Sequence, residues 1–204
     1  MSKKRVVVTG MSINTPIGDT LEGFLENLLA GKSAITRWKS LETDRIYAKV
    51  GGDLGEYDVH AKIQTYKDRI PADMFDRLVK LAKKSPFSVA ITLQTAVEAF
   101  LDADFTEQIE DGNNIATVVS GHNLNQKYTF ENHDVFNDEP DFVDGLFAVY
   151  GLDTHHVGSV TDVLQLHGPG YTVGAACASG NVAMRCAVDE IMMHDVPVAA
   201  VVAP

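Results

Sequence analysis

GPGYTVGAACASGNVAMRCAVDEIMM, residues 168–193, changes its hydrophobic period halfway along. Tyr171 to Ala176 are β-formers and small residues that read as a buried strand, whereas Val182, Cys186, Val188, Asp189 and Met192-Met193 recur at helical rather than alternating spacing. Between the two runs, Ala175, Ala176, Ala178, Ser179 and Gly180 let the backbone turn tightly and approach its neighbours closely. Cys177 stands at that joint. A thiol held at the first turn of a helix feels the positive end of the helix dipole and unpaired backbone N–H groups, which favour the thiolate and suit a nucleophile. The other reading is a packing corner, because free cysteines are among the most buried residues and strand-turn-helix joints also occur as plain structure. Cys186 lies inside the helical pattern and reads as a small core hydrophobe.

Working outward, the upstream chain supplies further strands and helices. Arg5 to Thr9 reads as a buried strand, and Gly10 through Gly18 as a loop broken by Pro16 and Gly18. A helix follows, capped by Asp19 or Thr20, striped by Leu21, Phe24, Leu25, Leu28 and Leu29, and closed by Gly31. Gly31-Lys32-Ser33 has the ending of a phosphate-binding loop, but the earlier glycine is Glu26 and the triplet ends a helix instead of opening one. Trp38 to Tyr66 reads as an irregular excursion with one strand near Tyr47 to Val50. Ala72 to Lys84 and Pro86 to Asp102 read as two helices, the second with Val89, Ile91, Leu93, Val97, Phe100 and Leu101 buried around most of its circumference. Asn114 to Ser120 and Val198 to Ala203 read as buried strands, so successive βα units predict an α/β fold with a largely parallel sheet covered by helices.

Composition bounds the function. With 204 residues and 45% hydrophobic content the chain can bury a substantial core, and no apolar run reaches the roughly eighteen residues of a membrane span. MSKKRVVVTG passes from charges straight into a strand-like run, unlike a signal peptide, so a cytoplasmic protein without membrane partners is expected. Two cysteines without metal-site spacing fit a reducing compartment and no disulfide between them. A net charge of −11 argues against nucleic-acid binding. The charge is uneven, however: Lys80, Lys83 and Lys84 cluster, while Glu107 to Asp111 and Asp134 to Asp144 are acid-rich. The lysines read either as a solvated helix face or as a patch that steers an acidic partner. His122, His133, His155, His156 and His167 show neither metal nor triad spacing.

Gly168-Pro169, the short strand and Ala175-Ala176-Cys177-Ala178-Ser179-Gly180 resemble the active-site segment of the β-ketoacyl-ACP synthases, the condensing enzymes of fatty acid and polyketide synthesis. Val6-Val7-Val8-Thr9-Gly10, Thr15-Pro16-Ile17-Gly18 and Leu28-Leu29-Ala30-Gly31-Lys32-Ser33 are similar to that family's N-terminal motifs, in the same order. The resemblance covers essentially the whole chain, more loosely from Trp38 to Pro71. It implies the N-terminal βαβαβ half of a thiolase-like fold, residues 1–204 forming a β-ketoacyl synthase N-terminal domain whose C-terminal half lies outside this chain. It also implies that Cys177 is the nucleophile and that its backbone N–H is one oxyanion donor. Phe142, Leu146, Phe147, Tyr150 and Val157 are then implied as acyl-pocket walls, in a segment that reaches across a dimer, and Lys80, Lys83 and Lys84 as a docking patch for acyl carrier protein. The implied substrates are acyl and malonyl thioesters, the implied assembly is a homodimer or a ketosynthase-type heterodimer, and no metal or organic cofactor is implied.

Departures from the family's pattern qualify the function. Its full chain is about twice as long, with two catalytic histidines, a lysine and the second oxyanion donor in the C-terminal half. Ala203-Pro204 stands where fatty acid enzymes have a glycine pair, and Ser120-Gly121-His122-Asn123 replaces a glycine-richer loop. Both features are more like the discrete ketosynthases of polyketide pathways. The alternatives to condensation are malonyl-carrier-protein decarboxylation, a non-catalytic partner subunit like a chain length factor, and a plain carrier-binding module.

Overall fold

The computed structural model describes residues 5–105, 114–194 and 196–204, so the acid-rich stretch Glu107 to Asp111 lies outside the described residues. In chain order the elements are α1 (Leu21–Leu29), β1 (Thr36–Arg37), β2 (Val50–Gly51), α2 (Val59–Gln64), α3 (Ala72–Lys84), α4 (Phe87–Asp102), β3 (Ile115–Ser120), α5 (Gln126–Asp138), α6 (Phe147–Tyr150), α7 (Thr154–Leu164), β4 (Gly170–Val173), α8 (Ser179–Met193) and β5 (Val198–Val202). Short 3-10 turns occupy Pro140–Phe142 and Ala176–Ala178.

The core is a parallel sheet in the order β4-β3-β5, with Val118 of β3 opposite Tyr171 on one side and Val201 on the other. Every residue of β3 is buried, which explains why its sequence is an unbroken run of small and β-branched residues instead of an alternating one. Side chains on successive strand positions point to opposite faces. Ile115 and Val119 of β3, with Val198, Ala200 and Val202 of β5, join the larger core formed with α4 and α7. Val118, Ala199, Val201, Tyr171 and Val173 instead meet Ala183, Ala187 and Cys186 on α8. Helices thus cover both faces. Behind α4 and α7, α3 contributes Met74, Leu78 and Ala82, spaced four apart along one stripe. Val89, Leu93 and Val97 of α4 are wholly buried, and Leu101 is half-buried.

Two expectations are corrected. Arg5 to Thr9 forms no strand among the described residues, and Val7 and Val8 are exposed. Strand propensity expresses fit to a neighbouring pleated surface, and no described strand lies beside this run to complete a ladder. The run is anchored at its end, where the Met11 N–H donates to Asp102 Oδ2 at 2.8 Å. The strand placed at Tyr171 to Ala176 stops at Val173, whose carbonyl accepts the last sheet bond from the Gly121 N–H at 2.9 Å.

α1 forms as its caps dictate: Thr20 Oγ1 accepts from the Gly23 N–H at 3.1 Å, and Gly31 takes the left-handed conformation at φ +70°. Its Leu25, Leu28 and Leu29 are exposed. The strand expected at Tyr47 to Val50 is met only at Val50: β2 pairs antiparallel with β1 over two residues, Tyr47 is exposed outside it, and the stretch read as irregular also forms α2. No helix among the described residues is long and apolar enough to cross a membrane.

Candidate active site

β4 delivers the chain to the carboxyl end of the sheet, where the ladder stops and the backbone turns into α8. The turn is made by Ala176, whose φ of +47° is left-handed. For an L-residue with a Cβ that conformation costs roughly 1–2 kcal/mol, so something must hold it. Ser179 does. Its buried hydroxyl accepts from the Ala175 N–H at 2.8 Å and donates to the Ala176 carbonyl at 2.7 Å, while the Ala178 N–H closes onto the Ala175 carbonyl at 3.0 Å. The result presents Cys177 outward: its thiol is free and exposed, in the single turn preceding α8, at the positive end of that helix. The Cys177 N–H donates to no other described residue, as expected of a first-turn amide.

The neighbouring strand ends converge on this turn. A side-chain carbon built at Gly174 would stand 3.6 Å from the Gly121 carbonyl oxygen and from Cβ and Nδ1 of His122, and one at Gly180 would stand 3.8 Å from Ala203 Cβ. The segments leaving β3, β4 and β5 therefore border Cys177's turn, at the end of a parallel α/β sheet where ligands bind. The loop after β3 is fixed by Asp153, whose carboxylate accepts from the N–H groups of Asn123 at 2.9 Å and Leu124 at 2.8 Å. Gly121 and Asn123 both have positive φ there, 121° and 58°.

The other expected residues are dispersed. Cys186 is free and half-buried between α8 and the sheet, as a core residue. Phe147 and Tyr150 lie on α6 and both meet the Tyr128 ring, at centroid distances of 6.1 Å each. Tyr150 is buried, Phe147 half-buried, and Phe142 and Leu146 exposed. Val157 sits on α7 in the main core, close against Gly170. Lys80, Lys83 and Lys84 are exposed on α3, in the helical layer across the sheet from α8. Among the described residues no group of three or more His, Cys, Asp or Glu side chains could hold a metal ion.

Sequence reasoning missed the Ser179 latch, the Asp153 clip and a buried polar cluster around His156. In that cluster Asn125 Nδ2 donates to the Leu152 carbonyl, leaving Oδ1 to accept from the Ser88 hydroxyl at 2.6 Å and from His156 Nε2 at 3.0 Å. His156 Nδ1 then accepts from the Thr92 hydroxyl at 2.7 Å. Burial, reinforced by His155, pushes the His156 imidazole down to about 4, so it is neutral near pH 7. The only available signal was a histidine pair following Asp153-Thr154, a pattern too common to read.

The profile of the β-ketoacyl synthase N-terminal domain matches residues 3–203. The chain is 28% identical over 191 residues to the polyketide biosynthesis malonyl-ACP decarboxylase PksF of Bacillus subtilis, covering 94% of this chain and 42% of that protein. It is 25% identical over 181 residues to the 3-oxoacyl-[acyl-carrier-protein] synthase 2 of Vibrio cholerae, covering 88% and 40%. The chain thus spans about two fifths of the length of these curated relatives. Among solved structures, the ishigamide ketosynthase/chain length factor superposes with a TM-score of 0.73 at 19% identity, over 96% of this chain and 46% of that one. A β-ketoacyl synthase from Burkholderia phymatum gives 0.67 at 22% identity, over 93% and 44%. The α/β architecture is therefore that of the thiolase-like ketosynthases.

Proposed function

Because the chain belongs to the β-ketoacyl synthase family through its N-terminal domain, we propose that Cys177 is the thiol that holds an acyl group for decarboxylative condensation in polyketide or fatty acid synthesis. The observation that carries this reading is the exposed, free thiol on a left-handed elbow at the carboxyl end of the parallel strands, immediately ahead of α8. There the thiolate attacks the thioester carbonyl of an acyl carrier protein. The Cys177 N–H donates to the oxyanion as charge develops, the bond between the acyl carbon and the carrier's sulfur breaks, and the carrier leaves as a thiol with the proton that Cys177 gave up. The acyl enzyme then meets malonyl-carrier protein. Loss of carbon dioxide leaves a carbanion that attacks the Cys177 thioester, breaks its carbon–sulfur bond, and releases the β-ketoacyl product and the Cys177 thiolate, which takes up a proton from solvent.

The groups that stabilise the carbanion are assigned by the resemblance to a C-terminal half outside residues 1–204. Phe142, Leu146, Phe147, Tyr150 and Val157 are proposed as walls of the acyl pocket, and Lys80, Lys83 and Lys84 as the carrier-protein patch. The assembly proposed is a dimer with Tyr171 to Ala175 near its two-fold axis.

A second reading is favoured by the similarity to PksF, whose name describes malonyl-ACP decarboxylation. In that case carbon dioxide is lost and the carbanion is protonated without condensation. One experiment separates the two. With the C-terminal half supplied, acyl- and malonyl-carrier proteins are incubated with the enzyme and the products are read by mass spectrometry. A β-ketoacyl-carrier protein and an acyl adduct on Cys177, both lost in Cys177→Ala, are expected. Acetyl-carrier protein without condensed product would favour decarboxylation, and an acyl adduct elsewhere would overturn the assignment of Cys177.

A further inference from the structure

The geometry points to Ser179 as the positioning residue that holds Cys177 in its reactive pose. This inference rests on Cys177 being the reactive thiol, and adds what keeps it presented. Ser179 is the first residue of α8 and is buried. Its single hydroxyl makes two bonds in opposite senses across the residues preceding Cys177: it accepts from the Ala175 N–H at 2.8 Å and donates to the Ala176 carbonyl at 2.7 Å. Ala176, bracketed by these bonds, is the residue with positive φ. An alanine relaxes readily out of the left-handed region into the helical or extended one, and either rotation would redirect the following residue. The latch opposes both, because each displaces an atom to which the hydroxyl is bonded.

Three features separate this role from ordinary capping. A helix N-cap side chain accepts from N–H groups ahead of it in the helix, whereas Ser179 reaches backward to the residues before it. Its bonds end on the residues leading into the thiol and not on the rest of α8. The strain it holds also sits at one identifiable residue, which permits a compensating substitution. Glycine enters the left-handed region without the penalty paid by alanine. Ala176→Gly should therefore restore the pose when the latch is cut. Threonine keeps the hydroxyl, and should preserve the latch.

The test is the rate of alkylation of Cys177 by iodoacetamide in residues 1–204, with the adduct site mapped by peptide mass spectrometry and native secondary structure checked by circular dichroism. Ser179→Ala is expected to slow Cys177 alkylation about tenfold, Ser179→Thr to stay within about twofold of the wild type, and the double variant Ala176→Gly/Ser179→Ala to recover most of the loss. An unchanged rate in folded Ser179→Ala would overturn the latch, as would a slowed rate that the double variant fails to recover. If Ser179→Ala does not fold, the double variant decides: a folded protein with near wild-type alkylation supports the latch, and a slow or unfolded one rejects it. Failure of the underlying reading looks different, since the wild type would then label at Cys186 or not at all.

Discussion

His156 is one histidine of an adjacent pair, and its neighbour His155 bonds Ser85 at a ring nitrogen to oxygen distance of 3.3 Å near the surface of α7. The buried member accepts from Thr92, donates to Asn125 and faces His155 and Asp153. Its folded value near 4 lies below the ordinary 6.5, so above about pH 6.5 it is neutral in both states and carries no penalty. Below that, the unfolded chain takes up a proton the folded chain refuses, and stability falls progressively until about pH 4. The slope approaches one proton, with a total on the order of 3 kcal/mol. Urea midpoints at pH 7 and pH 5 should separate for the wild type and converge in His156→Gln, whose overall stability is lower. An identical pH difference in both proteins would remove His156 as the cause. At this scale the sequence was partly legible. Cys177 and Cys186 were told apart by position, because only one falls at the joint of two periodicities. Ser179 was read merely as small, because a hydroxyl's partners are set by a backbone angle that no residue pattern announces.

Helix α3 was read to both ends and α4 to within one residue, Pro86 proving to be its N-cap, because a proline stands at each start and one apolar stripe or more fills the interior. β3 was legible for the same reason, as a run too short for a helix and bounded by glycine. α5 was not, since none of its residues is buried and its polar sequence shows no apolar period. The contrast between α4 and α1 gives a prediction. Leu93→Ala should cost about 3 kcal/mol, because the side chain is wholly buried, while Leu28→Ala on exposed α1 should stay within about 0.5 kcal/mol in residues 1–204. Urea denaturation measures both, and a comparable loss for Leu28 would mean that its face is covered in solution. On α3 the charge reversal of Lys80, Lys83 and Lys84 to Glu should weaken binding of an acidic carrier protein about tenfold at low ionic strength. The gap should close in high salt, where the screening length falls to a few ångströms. Calorimetric titration at two salt concentrations decides it, and an unchanged affinity at low salt places the docking site elsewhere.

For the molecule as a whole, residues 1–204 alone should release carbon dioxide from malonyl-carrier protein at background rate, with release restored when a C-terminal half is supplied. Each electrostatic or acid-base contribution that the proposed C-terminal half would supply is worth roughly a hundredfold or more in rate. Full release by the short chain would show that the decarboxylating groups lie within it. The proposed dimer predicts that the enzyme with its C-terminal half supplied has the mass of a dimer by light scattering, since β4 ends the sheet among the described residues and an end strand can pair with its symmetric copy; a strict monomer ends that proposal. The ordering of the sheet also has a meaning for how the chain is made. β3 pairs on both sides with strands that follow it, roughly fifty and eighty residues downstream, and such distant pairings slow folding. A ribosome must therefore carry β3, every residue of which is buried in the fold, out of its tunnel long before either partner exists. Until Val173 has emerged that strand has no partner in its own sheet, and until Val202 it has only one, which makes this interval of synthesis the time when a chaperone has most to protect.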